Sequence, residues 1–257
     1  MKEQRKNRDR SDQSFDVALE DYINHVVAAE KEDYKPGLRP FSAYEAEIRS
    51  KLHEVFNFFN TAIANGYRAL IEELKAEMEA SESKEDLLAL AAVNPENLNI
   101  FDDNDALVKA FEEGTDIYEL LGFSEKSLNV FYHAVRRMID NKSFKKARDA
   151  CYFLVTIAPW VPQFWISLGR CDIGLGAYDV AYQEFIQAID IDPTDSIAYQ
   201  ELVDLLIETH EFNKATSVCN AGLQMASEHS QEPWAAPLRA RLEGILNDVQ
   251  NAFRKVK

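Results

Sequence analysis

Displacing the chain against itself by 34 residues superposes Phe131, Trp165 and Tyr199, then Ala134, Leu168 and Leu202. The same shift aligns Phe144 with Tyr178 and Phe212, and Ala147 with Ala181 and Ala215, and it brings Pro159 onto Pro193. Register at one period marks a stacked array, whose units cannot bury an apolar face alone and must pile on one another. Each class has a physical task. The aromatic at 131, 165 and 199, with the residue three positions later, fills the space between paired helices. Alanine at 147, 181 and 215 lets two backbones approach to the short end of the usual ~8–10 Å range. Gly174 and Gly176 mark the turn of the second unit, and Pro159 and Pro193 stop the second helices. Helix–turn–helix units are therefore expected at about 128–161, 162–195 and 196–229, with an amphipathic helix near 235–253 capping the open end.

The middle unit carries Trp165, Leu168, Gly169, Tyr178, Ala181, Phe185, Ala188 and Pro193, and so resembles the tetratricopeptide repeat. The flanking units depart from that pattern: Val135 and Val203 stand at the glycine position, Cys151 and Cys219 at the second aromatic, and Ser227 at the third proline. A narrower resemblance runs over about residues 115–250. Leu120-Leu121-Gly122-Phe123-Ser124, with Leu128 and Tyr132, leads into the first repeat, and Phe164-Trp165, Leu168-Gly169, Cys171 and the turn to Tyr178 follow. This stretch is similar to the class II chaperones of bacterial type III secretion, which hold translocator subunits before export. The resemblance implies an all-α fold: a leading helix, three repeats and a terminal helix. It also implies a cytoplasmic chaperone with no cofactor, bound to a secreted translocator or effector client as an extended peptide, and a possible homodimer.

In such a stack the first helices line a concave groove. The groove-facing positions are Asn129, Tyr132, Arg136 and Ile139, then Gln163, Ile166, Arg170 and Ile173, then Ile197, Gln200, Asp204 and Ile207. Isoleucines on a groove rimmed by charge suit an extended peptide with a few apolar anchors. Tyr132, Ile166 and Ile173 are expected to form apolar pockets, with Arg136 and Arg170 setting the peptide's direction. A second reading is a non-enzymatic adaptor that assembles protein partners, and a third is control of transcription through a protein partner. Grooves that take the acidic C-termini of heat-shock chaperones use lysine and asparagine at the fifth and ninth positions; here Tyr132/Arg136 and Ile166/Arg170 stand there.

The first 114 residues lie outside this pattern. Residues 1–14 form a charged tail, basic from Lys2 to Arg10, and 15–114 a helical extension. Phe15, Leu19, Tyr22, Ile23 and Val26 share one helical face, and Lys35 to Pro40 then breaks the chain. Ser42 and Glu45 have the spacing of a capping box at the head of one long amphipathic helix, near 42–80. Its stripe of Tyr44, Ile48, Leu52, Val55, Phe56, Phe59, Ile63, Tyr67, Leu70, Leu74 and Met78 needs a partner: the convex side of the repeats, a second copy, or the groove itself. Short helices are expected around Leu87–Val93 and Asp105–Glu113, separated by a loop with Pro95 and the acidic Asp102, Asp103 and Asp105.

A net charge of −16 argues against nucleic acid or an anionic membrane as the partner, and no run of 18 apolar residues offers a membrane span. Enzyme chemistry finds no footing. His25, His53, His133, His210 and His229 are scattered without a metal-ligand spacing, and His133 and His210 are placed within repeat helices. Cys151, Cys171 and Cys219 form no CxxC pair and read as core thiols in a reducing compartment. No glycine-rich phosphate loop occurs, and carboxylate pairs such as Asp190/Asp192 read as solvated faces.

Overall fold

The computed structural model describes residues 23–24, 26–31, 34, 40–80, 87–93, 109–110 and 113–255, and every regular element among them is helical. The basic tail, the break at 35–39, Pro95, the acidic residues 102–105 and most of the helices expected near 15–26 and 105–113 lie outside the described residues. The helices are α1 (Phe41–Ala80), α2 (Leu87–Leu90), α3 (Ile117–Leu120), α4 (Glu125–Asp140), α5 (Phe144–Ile157), α6 (Pro162–Gly174), α7 (Tyr178–Ile191), α8 (Ser196–Glu208), α9 (Phe212–Glu228) and α10 (Ala235–Lys255). Residues 26–31 are helical as well. Two compact units result: Met1–Ala62 with Ala92–Gly122, and Ile63–Ala91 with Phe123–Lys257.

In the first unit, Ile23 and Val27 are buried, and Phe41, Ile48 and Leu52 of α1 pack against them. Tyr34 stacks on Tyr44, ring centroids 5.3 Å apart. Helix α1 begins at Phe41, directly after Pro40, which has no N–H to leave unpaired. Ser42 therefore lies inside the first turn rather than at the cap.

The second unit holds the three helix–turn–helix pairs α4/α5, α6/α7 and α8/α9, closed by α10. Local chemistry starts the first helices. Ser124 Oγ accepts from Ser127 N–H at 3.2 Å ahead of α4, Pro162 occupies the first turn of α6, and Asp195 Oδ1 accepts from Ile197 N–H at 2.8 Å ahead of α8. The turns repeat as faithfully as the sequence does. Lys142, Gly176 and His210 each adopt positive φ, at 57°, 77° and 62°. The residue after each donates its N–H back across the helix end, Ser143 to Met138 O, Ala177 to Asp172 O and Glu211 to Leu206 O, all at 2.8 Å. His210 thus sits in a turn and not in a helix, which corrects the sequence expectation. Gly174 is the last residue of α6; a Cβ there would lie 2.4 Å from Phe144.

Ala147, Ala181 and Ala215 are completely buried at the helix crossings, as are Phe131 and Leu202. Trp165 is only half-buried and donates its indole N–H to Pro159 O at 2.7 Å. Residues 63–80 of α1 belong to this unit and pack on the first repeat. Gly66 lies so close to α5 that a Cβ would meet Asp149 O at 2.1 Å. Tyr67 packs beside Phe123 and Phe153 and donates its hydroxyl to Ala91 O at 2.7 Å. Ion pairs border the contact, with Arg137 to Glu73 and Glu77 and Lys146 to Glu72.

Candidate functional site: the concave face of the repeats

Helices α4, α6 and α8 carry the twelve groove positions, and the fold treats them unequally. On α4, Asn129 is exposed and Tyr132 and Ile139 are half-buried. The Arg136 guanidinium stands 5.9 Å from the centroid of the Tyr132 ring, which in turn lies 6.3 Å from Phe164. On α6, Gln163 donates to Asp195 at 3.3 Å, and Arg170 reaches Glu201 Oε1 with Nη2 at 2.6 Å and Nε at 3.1 Å. On α8, Gln200 donates to the Ser196 carbonyl at 3.1 Å, and Asp204 is paired with Arg241 of α10. Ile197 is 46% exposed. Ile173 and Ile207 are half-buried edges of the core beneath.

Ile166 departs from the expectation of an open pocket. It is 3% exposed and clusters with Ala181, Phe185, Ala198 and Leu202. Helix α6 contacts both α7 and α8, so a flank position that would be open on an isolated pair is covered in the stack. What remains open is an apolar strip of Tyr132, Ile139, Ile173, Ile197 and Ile207. The charged side chains of α6 and α8 beside it are already paired within the protein.

Sequence reasoning passed over one polar cluster under this face. Asp172 of α6 is fully buried and Glu184 of α7 is 6% exposed, with Arg148 Nε of α5 2.7 Å from Asp172 Oδ1. The Arg148 contact is an ion pair off hydrogen-bond alignment, and neither Asp172 oxygen nor Oε2 of Glu184 accepts an aligned hydrogen bond among the described residues. A proton on Glu184 supplies the missing donor. Burial first, then the charge of Asp172 and the hydrogen bond between them, push the Glu184 carboxyl up to about 9; burial also raises Asp172. The signal was in the spacing: Asp172 follows buried Leu168 by four residues, and Glu184 follows buried Ala181 by three, so both fall on interior stripes.

The folded chain therefore keeps a proton on Glu184 that the unfolded chain, whose glutamates titrate near ~4.3, releases. Stability is highest below the unfolded value and falls as pH rises toward the folded one, by up to ~1.4 kcal/mol per pH unit for one proton. Glu184→Gln, which keeps the donor without the titration, is expected to flatten this decline. Thermal melting from pH 4 to 9 checks it: the variant should match the wild type at the acid end and melt higher at the alkaline end, and parallel curves would refute the shared proton.

The thiols are interior. Burial raises the Cys151 thiol well above its ordinary range and Cys219 to about 11, and Cys171 is buried too. Among the described residues no group of histidine, cysteine or carboxylate side chains is arranged to hold a metal ion, and no helix is long and apolar enough to cross a membrane.

No protein-family model and no curated protein matches the chain. Its fold is similar to that of a chain in the type III secretion complex from Aeromonas hydrophila, at 18% identity over 59% of this chain and 99% of that one, with a TM-score of 0.51. The type III secretion translocator chaperone SycD of Yersinia enterocolitica aligns at 18% identity over 52% of this chain and 97% of its own, with a TM-score of 0.48. PcrH, a Pseudomonas aeruginosa protein, solved in complex with the chaperone binding region of PopD, aligns at 19% identity over 51% and 96%, with a TM-score of 0.46. The chain thus has the all-α, tetratricopeptide-type fold of the sequence expectation.

Proposed function

We propose that the concave face holds an extended segment of a secreted translocator or effector client and keeps that client soluble and unassembled in the bacterial cytoplasm. The mechanism is shielding by binding, without catalysis or cofactor. One observation carries the reading: the open part of the face is an apolar strip, and the polar side chains of α6 and α8 beside it are satisfied within the protein. Such a surface gains by covering hydrocarbon, and Ile197 at 46% exposure is its most accessible anchor. The fold shared with the Aeromonas hydrophila type III secretion chain supports the reading. Arg136 gives the strip a direction, because a guanidinium orients peptide carbonyls or carboxylates.

Co-expression with a translocator-type protein, comparing wild type with Ile197→Asp, tests it. Ile197 is exposed, so the substitution is expected to leave the melting temperature within a degree or two while soluble client falls by about tenfold, since a carboxylate set into an apolar contact costs more than ~1.4 kcal/mol. Tyr132→Ala should act in the same direction. Undiminished client with both variants would remove the concave face as the site.

A further inference from the structure

Beside the strip, and outside what shielding requires, lies a cavity of about 390 Å³ between α4 and the helices α1 and α2. Glu77 of α1 and Leu87 of α2 form one wall; Val130, His133, Arg136 and Arg137 of α4 form the other, with Asp140 at the end of that helix. Its charges are unevenly matched. Arg137 is held by Glu73 and Glu77, so those three account for one another. Asp140 makes no ion pair with Arg136, and its charge acts on Arg170 of the next repeat. Arg136 has no ion pair among the described residues, and its guanidinium stands over the Tyr132 ring. Among the described residues the Arg136 guanidinium thus stands at this cavity without a carboxylate partner, in a chain of net charge −16. Arg136 is exposed, so its guanidinium is open to an incoming ligand from solvent.

We propose that this cleft binds an acidic peptide segment, with a carboxylate on Arg136 beside His133 and the neighbouring apolar side chain against Leu87 and Val130. The guanidinium offers paired donors that match a carboxylate, and Leu87 and Val130 are both half-buried, with apolar surface left to cover. Glu77 and Leu87 belong to the N-terminal segment, so the bare three-repeat stack has no such wall. Because Arg136 also borders Tyr132, the cleft extends the client-binding face and in that respect rests on the function proposed above.

The test uses the full chain with methyl-labelled leucine and valine. Its probes are two peptides, acetyl-Gly-Glu-Leu-Gly-amide and the same peptide with glutamine for glutamate. The glutamate peptide is expected to shift the Leu87 and Val130 methyl signals saturably, the glutamine peptide to bind at least tenfold more weakly, and Arg136→Gln to abolish the difference while leaving the other methyl signals in place. Equal binding of the two peptides, or shifts centred on Leu175 instead, would overturn the proposal. The two readings fail separately. A client that ignores Ile197→Asp while the glutamate peptide still moves Leu87 removes the groove and leaves the acidic cleft. A client that needs Ile197, with both peptides equivalent, removes the cleft alone.

Discussion

Gly169→Val is expected to destabilise the protein by about 3 kcal/mol, and adding Phe185→Cys to recover much of that loss. A Cβ at Gly169 would stand 2.5 Å from Phe185 Cε1 in a completely buried position, so the ring must leave or the helices must part. Phe185→Cys alone leaves a void and is expected to cost about 3 kcal/mol or more. The flanking repeats already contain the combination: Val135 with Cys151, and Val203 with Cys219, all buried, the second pair within one core cluster. What looks in the sequence like two independent departures from the repeat pattern is one exchange of volume across a helix pair. A double-mutant cycle by chemical denaturation decides it. A double variant more stable than either single variant supports the exchange; additive losses would show that the two sites do not share one space.

Gly66→Val is expected to cost a similar ~3 kcal/mol, and to do so by lifting residues 63–80 off the first repeat. The added carbon would fall 2.1 Å from Asp149 O and 2.8 Å from Phe153 Cβ, and a backbone oxygen inside a helix cannot step aside. The lift would also part Tyr67 from Phe123 and Phe153 and Arg137 from its two glutamates. Hydrogen exchange should quicken in residues 63–80 and at the Phe153 turn of α5, while α8 to α10 stay protected. Gly244→Ala in α10 is the matched control, because nothing lies within 4 Å of its Cβ; it should stabilise by about 0.5–1 kcal/mol through helix propensity. Unchanged exchange in residues 63–80 of the Gly66 variant would show that the close approach is not what fastens that segment.

Much of this fold was legible because a stacked array writes its contacts at a fixed period. Alanine crossings, turn positions and stop prolines each recur, so every unit checks the others. Besides the cap at Ser42 and the turn at His210, three features escaped, each for a physical reason. Gly66 packs against residues more than eighty positions away, and no local pattern distinguishes a glycine in close approach from one on a surface. Ile166 was placed on an open face because helical spacing gives direction but not what the next repeat covers. The Asp172–Glu184 pair was hidden by composition: in so acidic a chain carboxylates read as solvated, and only their fall on interior stripes sets these two apart. For the proposed concave face, spacing assigns the twelve positions to the first helices, while the pairing of Arg170 with Glu201 and Asp204 with Arg241 required three-dimensional neighbours.

The three thiols lie one to a repeat: Cys151 in the first, Cys171 in the second and Cys219 in the third, each with no exposed surface. A thiol reagent can reach any of them only when the packing around it opens. Cys151 and Cys171 lie beside one another where the first two repeats meet and report on that junction together, while Cys219 reports on the third repeat. Brief alkylation followed by peptide mass analysis would time the fraying of the two ends of the stack separately, and a client of the kind proposed, by stapling the repeats together, would slow both signals in concert.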